Sequence, residues 1–134
     1  MKKVSKLFAV VGLAIVMLFA IACTPKNVGD AVEKLAEKGY AVEVTQNDSY
    51  FVSDDEIEDL DLKGDFYQVY AEKESVLTGK DLFLVAIIFE KKSDAKKVYE
   101  DLFVGEDFGD DFTYNRKGKV IYVGNIAAVA EFTD

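Results

Sequence analysis

Histidine is absent from this sequence of 134 residues, and cysteine occurs once. Without histidine, the chain can form neither a Ser-His-Asp nor a Cys-His catalytic centre, and a histidine general base and histidine-ligated zinc are excluded as well. A single cysteine excludes an intramolecular disulfide and a metal site built from several thiolates. The phosphate-binding loops GxGxxG and GxxxxGKS/T are also missing. Enzymes can still be built from carboxylates, but no pair of them stands out here, so we expect a protein that is not an enzyme.

The first 23 residues have a distinctive pattern of charge and hydropathy. Lys2, Lys3 and Lys6 precede an apolar run of 16 residues, from Leu7 to Ala22, and Cys23 follows it. As a helix this run would be about 24 Å long, at about 1.5 Å per residue. The hydrocarbon core of a bilayer is about 30 Å thick and usually takes about 20 residues to span. A basic start, a short apolar core and small residues before a cleavage site predict a removable signal over residues 1–22.

The segment Ala20-Ile21-Ala22-Cys23 resembles the lipobox of bacterial lipoproteins, with Ala20 at a position where leucine is usual. The resemblance implies that the Cys23 thiol receives a diacylglyceryl group carrying fatty acids such as palmitate, and that signal peptidase II cleaves before it. N-acylation of the new amino terminus stays open. The resemblance also implies a lipid-anchored protein at the outer face of the cell membrane, with residues 23–27 as the lipidated cysteine and a short tether. An uncleaved signal anchor is the alternative, and its lysines would leave the domain on the same side of the membrane.

Basic side chains are scarce after the signal. When the three lysines of the signal are taken from the total of 16 basic residues, 13 remain against 25 acidic residues, a net charge of −12. Nucleic acid binding depends on clustered Lys and Arg, so we expect no nucleic acid partner. An anionic membrane surface should also repel the domain, which leaves the lipid to attach it. We expect a partner among the proteins or other components of the cell envelope.

Hydropathy patterns in residues 28–134 predict a single acidic domain. Apolar residues from Val28 to Ala36 follow helical spacing, and residues 40–45 alternate as a half-buried strand. Residues 66–73 are predicted to form another strand. Residues 82–89 are apolar at every position, which is typical of a central strand covered on both faces. The order of helices and strands lacks the regular alternation of a Rossmann-type fold. We predict an α+β fold, a two-layer sandwich of an antiparallel or mixed sheet with helices packed mainly on one face.

Polar residues and a glycine predict where helices begin and end. Asn27 and Ser93 are predicted N-caps, and Ser53 with Glu56 forms a predicted capping box. Gly39 suits the left-handed position that ends the first helix.

Three further local predictions concern strands and the last helix. Residues 50–52 are predicted to form a short strand, and residues 116–119 a four-residue hairpin loop. Asn125 is the predicted N-cap of the last helix.

Acidic residues are concentrated in two segments, 48–65 and 100–111. Outside the cell, calcium sites with dissociation constants of about 10⁻⁴ to 10⁻³ M are useful. An EF-hand loop that starts at Asp59 fails, because Lys63 and Tyr70 occupy ligand positions. A solvated acidic surface is therefore the favoured interpretation, and a calcium-dependent surface module is the alternative. The candidate ligands of that alternative are Asp59, Asp61, Asp107, Asp110 and Asp111.

Two other groups of residues bear on binding. The lysines at positions 91, 92, 96 and 97 fit a solvated helix face, or a contact with lipid headgroups or an acidic partner. The seven tyrosines are expected to pack in strands more than to form a stacking surface for a sugar or peptide. A binding or accessory protein should also present an exposed apolar or aromatic patch.

Overall fold

The computed structural model describes residues 25–74, 79 and 81–133. Cys23 and the predicted signal over residues 1–22 lie outside the described residues. In chain order the described elements are α1 (Lys26–Glu37), β1 (Ala41–Gln46), α2 (Asp54–Leu60), β2 (Phe66–Glu74), β3 (Asp81–Phe89), α3 (Lys92–Val98), a π-helical turn (Tyr99–Phe103), β4 (Phe112–Lys117), β5 (Val120–Asn125) and α4 (Ile126–Thr133).

The strands of the described residues form one antiparallel sheet in the order β1-β2-β3-β5-β4. The apolar strand β3 lies at its centre, as the hydropathy of residues 82–89 predicted. Successive side chains of a strand point to opposite faces, so a strand that is apolar throughout contributes side chains to a hydrophobic core on each face of the sheet. Leu84, Ala86 and Ile88 enter one core, and Val85, Ile87 and Phe89 enter the other.

Helices cover both faces of the sheet. On the face that we call the α1 face, α1 and α4 contribute Leu35 and Val129 to the core. On the opposite α3 face, α3 and the π-helical turn contribute Val98 and Phe103, and Leu60 of α2 packs against them. The predicted α+β class with an antiparallel sheet is confirmed. The layer arrangement differs from the prediction, because both apolar surfaces of β3 need cover and a single helical layer protects only one of them.

The first helix ends as predicted but begins earlier. Gly39 has a φ of +90°, and its amide donates to the Ala36 carbonyl while the Tyr40 amide donates to the Leu35 carbonyl. This pair of bonds is a Schellman motif, which satisfies carbonyls that the helix leaves free. The predicted N-cap Asn27 is wrong, since α1 already begins at Lys26, after Pro25. A proline suits that boundary because it cannot donate a backbone hydrogen bond.

The segment before α2 was predicted partly wrongly. Residues 50–52 form no strand, because the buried Gln68 side chain binds backbone that a strand would use for pairing. Its Oε1 accepts hydrogen bonds from the Tyr50 amide and the Ser49 hydroxyl, both at 2.8 Å. The capping box of Ser53 is confirmed in both directions.

Three further local predictions meet different outcomes. Ser93 is not an N-cap, since α3 begins at Lys92 without a side-chain cap. The predicted four-residue hairpin loop is shorter, because β4 and β5 extend to a two-residue turn in which Gly118 has a φ of +62°. Asn125 directly precedes α4, and its Oδ1 accepts a hydrogen bond from the Phe83 amide at 2.6 Å, which ties β5 to β3.

Candidate functional site

An open groove of about 350 Å³ lies at the end of the sheet where α1 begins. Tyr67 and Ile88 face each other across β2 and β3, and both point to the α1 face. The turn between β4 and β5 closes another side, held by a 2.9 Å hydrogen bond from the Phe89 amide to the Lys119 carbonyl. The groove is lined by Pro25, Lys26, Asn27, Tyr67, Ile88, Phe89, Glu90 and Lys119.

Tyr67 contributes a hydroxyl group to the wall of the groove. Its side chain is mostly buried, and its hydroxyl has no hydrogen-bond partner among the described residues. Burial raises the pKa of Tyr67, and the carboxylates of Asp65 and Glu90 raise it further. The hydroxyl is therefore a neutral donor at physiological pH, and it is available to a group that enters the groove.

Charged groups of both signs surround this opening. Lys26 and Lys119 are exposed on two sides, and neither forms an ion pair within the described part of the chain. Glu90 is exposed as well, but one of its carboxylate oxygens accepts the Asp65 amide at 2.7 Å. The groove therefore combines an apolar floor and a hydroxyl donor with two lysines and one carboxylate at its rim.

The structure does not bring the predicted calcium ligands together. Asp59 lies on α2, and Asp61 pairs with Lys63 at 3.2 Å. Asp107 accepts the Gly109 amide at 2.8 Å within its own loop, where Asp110 is exposed. The carbonyl of Asp111 accepts the Ile126 amide, which joins this loop to α4. Within the described ranges, no three acidic or cysteine side chains are grouped to hold a metal ion.

A buried carboxyl group on β1 was missed by sequence reasoning. Glu43 pairs with Tyr70 across β1 and β2, and its Oε2 is buried without a hydrogen-bond partner among the described residues. Burial raises the pKa of Glu43. Alternation with Val42 and Val44 places Glu43 on the opposite face of an edge strand, which indicates exposure to solvent. The sequence holds no signal for its burial, which depends on the tertiary surroundings of β1.

Tyrosines surround this carboxyl group. The rings of Tyr50 and Tyr70 meet edge to face with centroids 5.7 Å apart. Burial raises the pKa of Tyr50, and the charges of Glu43 and Asp48 raise it further. Burial also raises the pKa of Tyr70, whose hydroxyl lies 3.3 Å from Glu72. These groups are acids that resist ionisation.

Most tyrosines are packed, as predicted. Tyr40, Tyr67, Tyr70 and Tyr122 are buried, and only Tyr50 among the tyrosines is a large exposed side chain. The other large exposed apolar side chains of the described residues are Val104 and Ile126. These three lie on three separate segments of the chain.

Comparison with family models, curated proteins and solved structures found no match for this chain. Among residues 25–74, 79 and 81–133, no helix is both long enough and apolar enough to cross a bilayer.

Proposed function

We propose that this chain is a lipid-anchored extracytoplasmic protein, and that its domain is a non-catalytic binding or accessory module at the outer face of the cell membrane. Diacylglycerol on Cys23 is the anchor. The partner is a component of the cell envelope that the domain meets at the membrane surface.

The tether between anchor and domain is very short. Only Thr24 and Pro25 separate Cys23 from α1, which begins at Lys26. Three residue steps reach at most about 11 Å, at about 3.6 Å per step. The short tether keeps the folded domain against the lipid surface and out of the space beyond it. An accessory role beside other membrane components fits that position better than capture of a distant ligand.

The chemistry of Cys23 supports lipid over the other uses of a lone thiol. No second cysteine exists in the chain, so no intramolecular disulfide can form. A single acyl chain gives marginal membrane binding, whereas two chains hold a protein stably, at about 0.8 kcal/mol per buried methylene. A diacylglyceryl group provides both chains at one residue. The anchor can therefore hold a domain whose net charge of −12 opposes an anionic surface.

Mass spectrometry of the N-terminal peptide tests the proposal. The protein is expressed in a bacterial host with its own first 22 residues, and the membrane fraction is digested. We expect a peptide that begins at Cys23 and carries the mass of a diacylglyceryl group. The matched variant Cys23→Ala should retain Met1 and should incorporate no labelled palmitate.

Two results would contradict the lipid anchor. A wild-type peptide that begins at Met1, with no lipid mass, would mean that Leu7–Ala22 acts as an uncleaved signal anchor. An unmodified Cys23 in a protein released from the membrane would remove the membrane role altogether.

A further inference from the structure

The antiparallel sheet gives the domain two ends of different charge. At one end lie the last residues of β1 and β3, the start of β2, the β4–β5 turn and the first turn of α1. We call this the basic end. Its exposed basic side chains without an ion pair in the described part of the chain are Lys26, Lys91, Lys92, Lys117 and Lys119.

The opposite end of the sheet is acidic. It holds the end of β2, the start of β3 and the loop that leads into β4. Lys73, the basic residue nearest to it on β2, is paired with Glu131 at 2.9 Å. The acidic side chains at this acidic end are Glu74, Asp81, Glu106, Asp107, Asp110 and Asp111.

Acidic groups lie at the basic end as well. Asp48, which follows β1, is exposed and has no ion pair among the described residues. Asp61 is paired with Lys63. Asp65 accepts a hydrogen bond from the Asn47 side chain, and Glu90 accepts the Asp65 amide. The lysines named above have no such partners within the described residues, so their charge faces solvent.

The length of the sheet determines which charges of the domain interact with a nearby membrane. β2 has nine residues, so its ends are about 26 Å apart, at about 3.3 Å per residue. The Debye length is about 8 Å at physiological ionic strength. The acidic end is thus screened from a surface that touches the basic end. A net charge of −12 therefore does not dictate repulsion in every orientation of the domain.

The chain segment that leads to the anchor joins the domain at the basic end. Pro25 and Lys26 line the groove together with Lys119, so the chain that leads to Cys23 joins the domain among the free lysines. We infer that the basic end docks on anionic phospholipid headgroups, with the groove facing the lipid and the acidic end pointing away from it. This inference rests on the proposed membrane anchor and adds an orientation to it.

Photo-crosslinking tests the orientation with the protein in a bilayer. The membrane form of the full chain is reconstituted in phosphatidylcholine vesicles with or without phosphatidylglycerol. The photoreactive amino acid p-benzoylphenylalanine replaces either Ser93, on α3 at the basic end, or Asp81, at the acidic end. Both residues are exposed, and neither lines the groove. Lipid adducts are counted by mass spectrometry.

We expect lipid adducts from position 93 and a several-fold lower yield from position 81. Removal of phosphatidylglycerol should lower the yield at position 93. An increase in salt from 0.1 to 1 M should lower it too, because the Debye length falls from about 10 to about 3 Å. Equal yields at the two positions, or a yield at position 93 that does not depend on phosphatidylglycerol, would overturn the inference.

A matched pair of charge reversals separates local charge from net charge. Lys119→Glu at the basic end and Lys38→Glu at the far end of α1 change the net charge equally, and both side chains are exposed. Each basic residue near an anionic surface contributes about fivefold to binding. Lys119→Glu should therefore lower the adduct yield at position 93 at least fivefold, and Lys38→Glu less than twofold. Lys92→Glu should repeat the first effect, and equal effects of all three would contradict docking through the basic end.

The outcomes also separate this inference from the proposed function. Crosslinking that favours position 93 in a protein without lipid on Cys23 would keep the orientation and reject the lipid anchor. Vesicle binding with equal yields would keep the anchor and reject the orientation. A full chain that does not float with vesicles would reject both.

Discussion

The Oδ2 atom of Asp94, in the first turn of α3, accepts a hydrogen bond from the backbone amide of Gly64 at 2.9 Å. The same carboxylate accepts the Lys63 amide through both oxygens at 3.0 Å, and Asp94 is fully buried. A buried anion held by backbone amides fixes the turn before β2 against the start of α3. An added Cβ at Gly64 would lie 3.0 Å from the Cγ of Lys91, so the Lys91 side chain would have to shift.

Loss of this carboxylate should destabilise the domain. In Asp94→Asn, an NH₂ group replaces one carboxylate oxygen and faces the backbone N–H groups of the turn. One buried hydrogen bond is lost, and two hydrogen-bond donors then point at each other. We expect the free energy of unfolding to fall by about 2 to 4 kcal/mol. Urea denaturation followed by circular dichroism measures this change. The exposed control Asp59→Asn should change it by less than about 0.5 kcal/mol, and similar effects of the two variants would refute the role of Asp94.

Gly124 on β5 should not tolerate a side chain. A Cβ at this position would lie 2.3 Å from the Phe83 carbonyl oxygen and 2.9 Å from the Leu84 Cα, both in the backbone of β3. Backbone at the centre of a sheet cannot move aside without loss of pairing. Gly124→Ala should therefore cost about 3 kcal/mol or more in the free energy of unfolding.

Thr113→Ala is the matched control for this substitution. Thr113 pairs with Gly124 from β4, and its truncation brings no atom toward β3. Its cost should stay near or below about 1 kcal/mol. A thermal melt of Gly124→Ala that coincides with that of the control would show that β3 and β5 have room at this point.

The stability of the domain should depend on pH through Glu43. Because burial raises its pKa in the folded state, the neutral carboxyl stabilises the fold below the usual pKa of 4.5, and this contribution is lost as pH rises through the raised pKa. Glu43→Gln cannot ionise. We therefore expect its melting temperature to exceed that of the wild type by a few degrees at pH 7 and to differ little at pH 4. Thermal melts at the two pH values measure the difference.

An exposed glutamate provides the comparison for Glu43. Glu58→Gln on α2 removes the same charge at the surface and should show no such dependence on pH. A Glu43→Gln variant with the same shift in melting temperature at pH 4 and pH 7 would contradict a raised pKa for Glu43.

Lys73 joins three elements at the acidic end of the sheet. Its Nζ lies 2.9 Å from Glu131 of α4 and 3.0 Å from the Lys38 carbonyl after α1, and it sits over the Tyr40 ring at 4.4 Å. Burial raises the pKa of Tyr40 to about 12, and the neighbouring Glu131 contributes to the rise. Lys73→Met leaves Glu131 without its cation, so we expect a loss of about 1 to 3 kcal/mol in the free energy of unfolding.

A double-mutant cycle isolates the pair from the other contacts of Lys73. Glu131→Gln alone should cost less than Lys73→Met, and the double variant should cost less than the sum of the two. The exposed control Lys92→Met should remain within about 0.5 kcal/mol of the wild type. Additive effects of the two substitutions would show that Lys73 and Glu131 are not coupled.

Features with a local physical cause were predicted well. The capping box of Ser53 and Glu56 needs only a four-residue stretch, and the Schellman end at Gly39 needs only one residue that tolerates positive φ. The caps at Asn27 and Ser93 were wrong because α1 begins at Lys26 and α3 at Lys92, each without a side-chain cap. The strand predicted over residues 50–52 failed through a distant residue, since Gln68 takes the Tyr50 amide.

The groove could not be predicted from sequence. Its walls come from α1, β2, β3 and the β4–β5 turn, which meet only because β3 pairs with both β2 and β5. The groove brings together residues that are distant in sequence, whereas the calcium candidates are neighbours in sequence that the structure does not group. These acids lie apart or form hydrogen bonds within their own loop.

The sequence by itself determined most of the helices and strands, the central place of β3 and the pattern of charge and hydropathy before Cys23, because periodicity, length and charge are local properties of a chain. The tertiary structure alone decided which acids are buried and which lysines converge. Nothing in the sequence distinguishes Asp94 and Glu43 from the exposed acids, because they are covered by segments that are distant in sequence. Lys26, Lys91 and Lys119 are far apart in sequence, and they share one end of the domain because antiparallel pairing returns alternate strand ends to the same edge of the sheet.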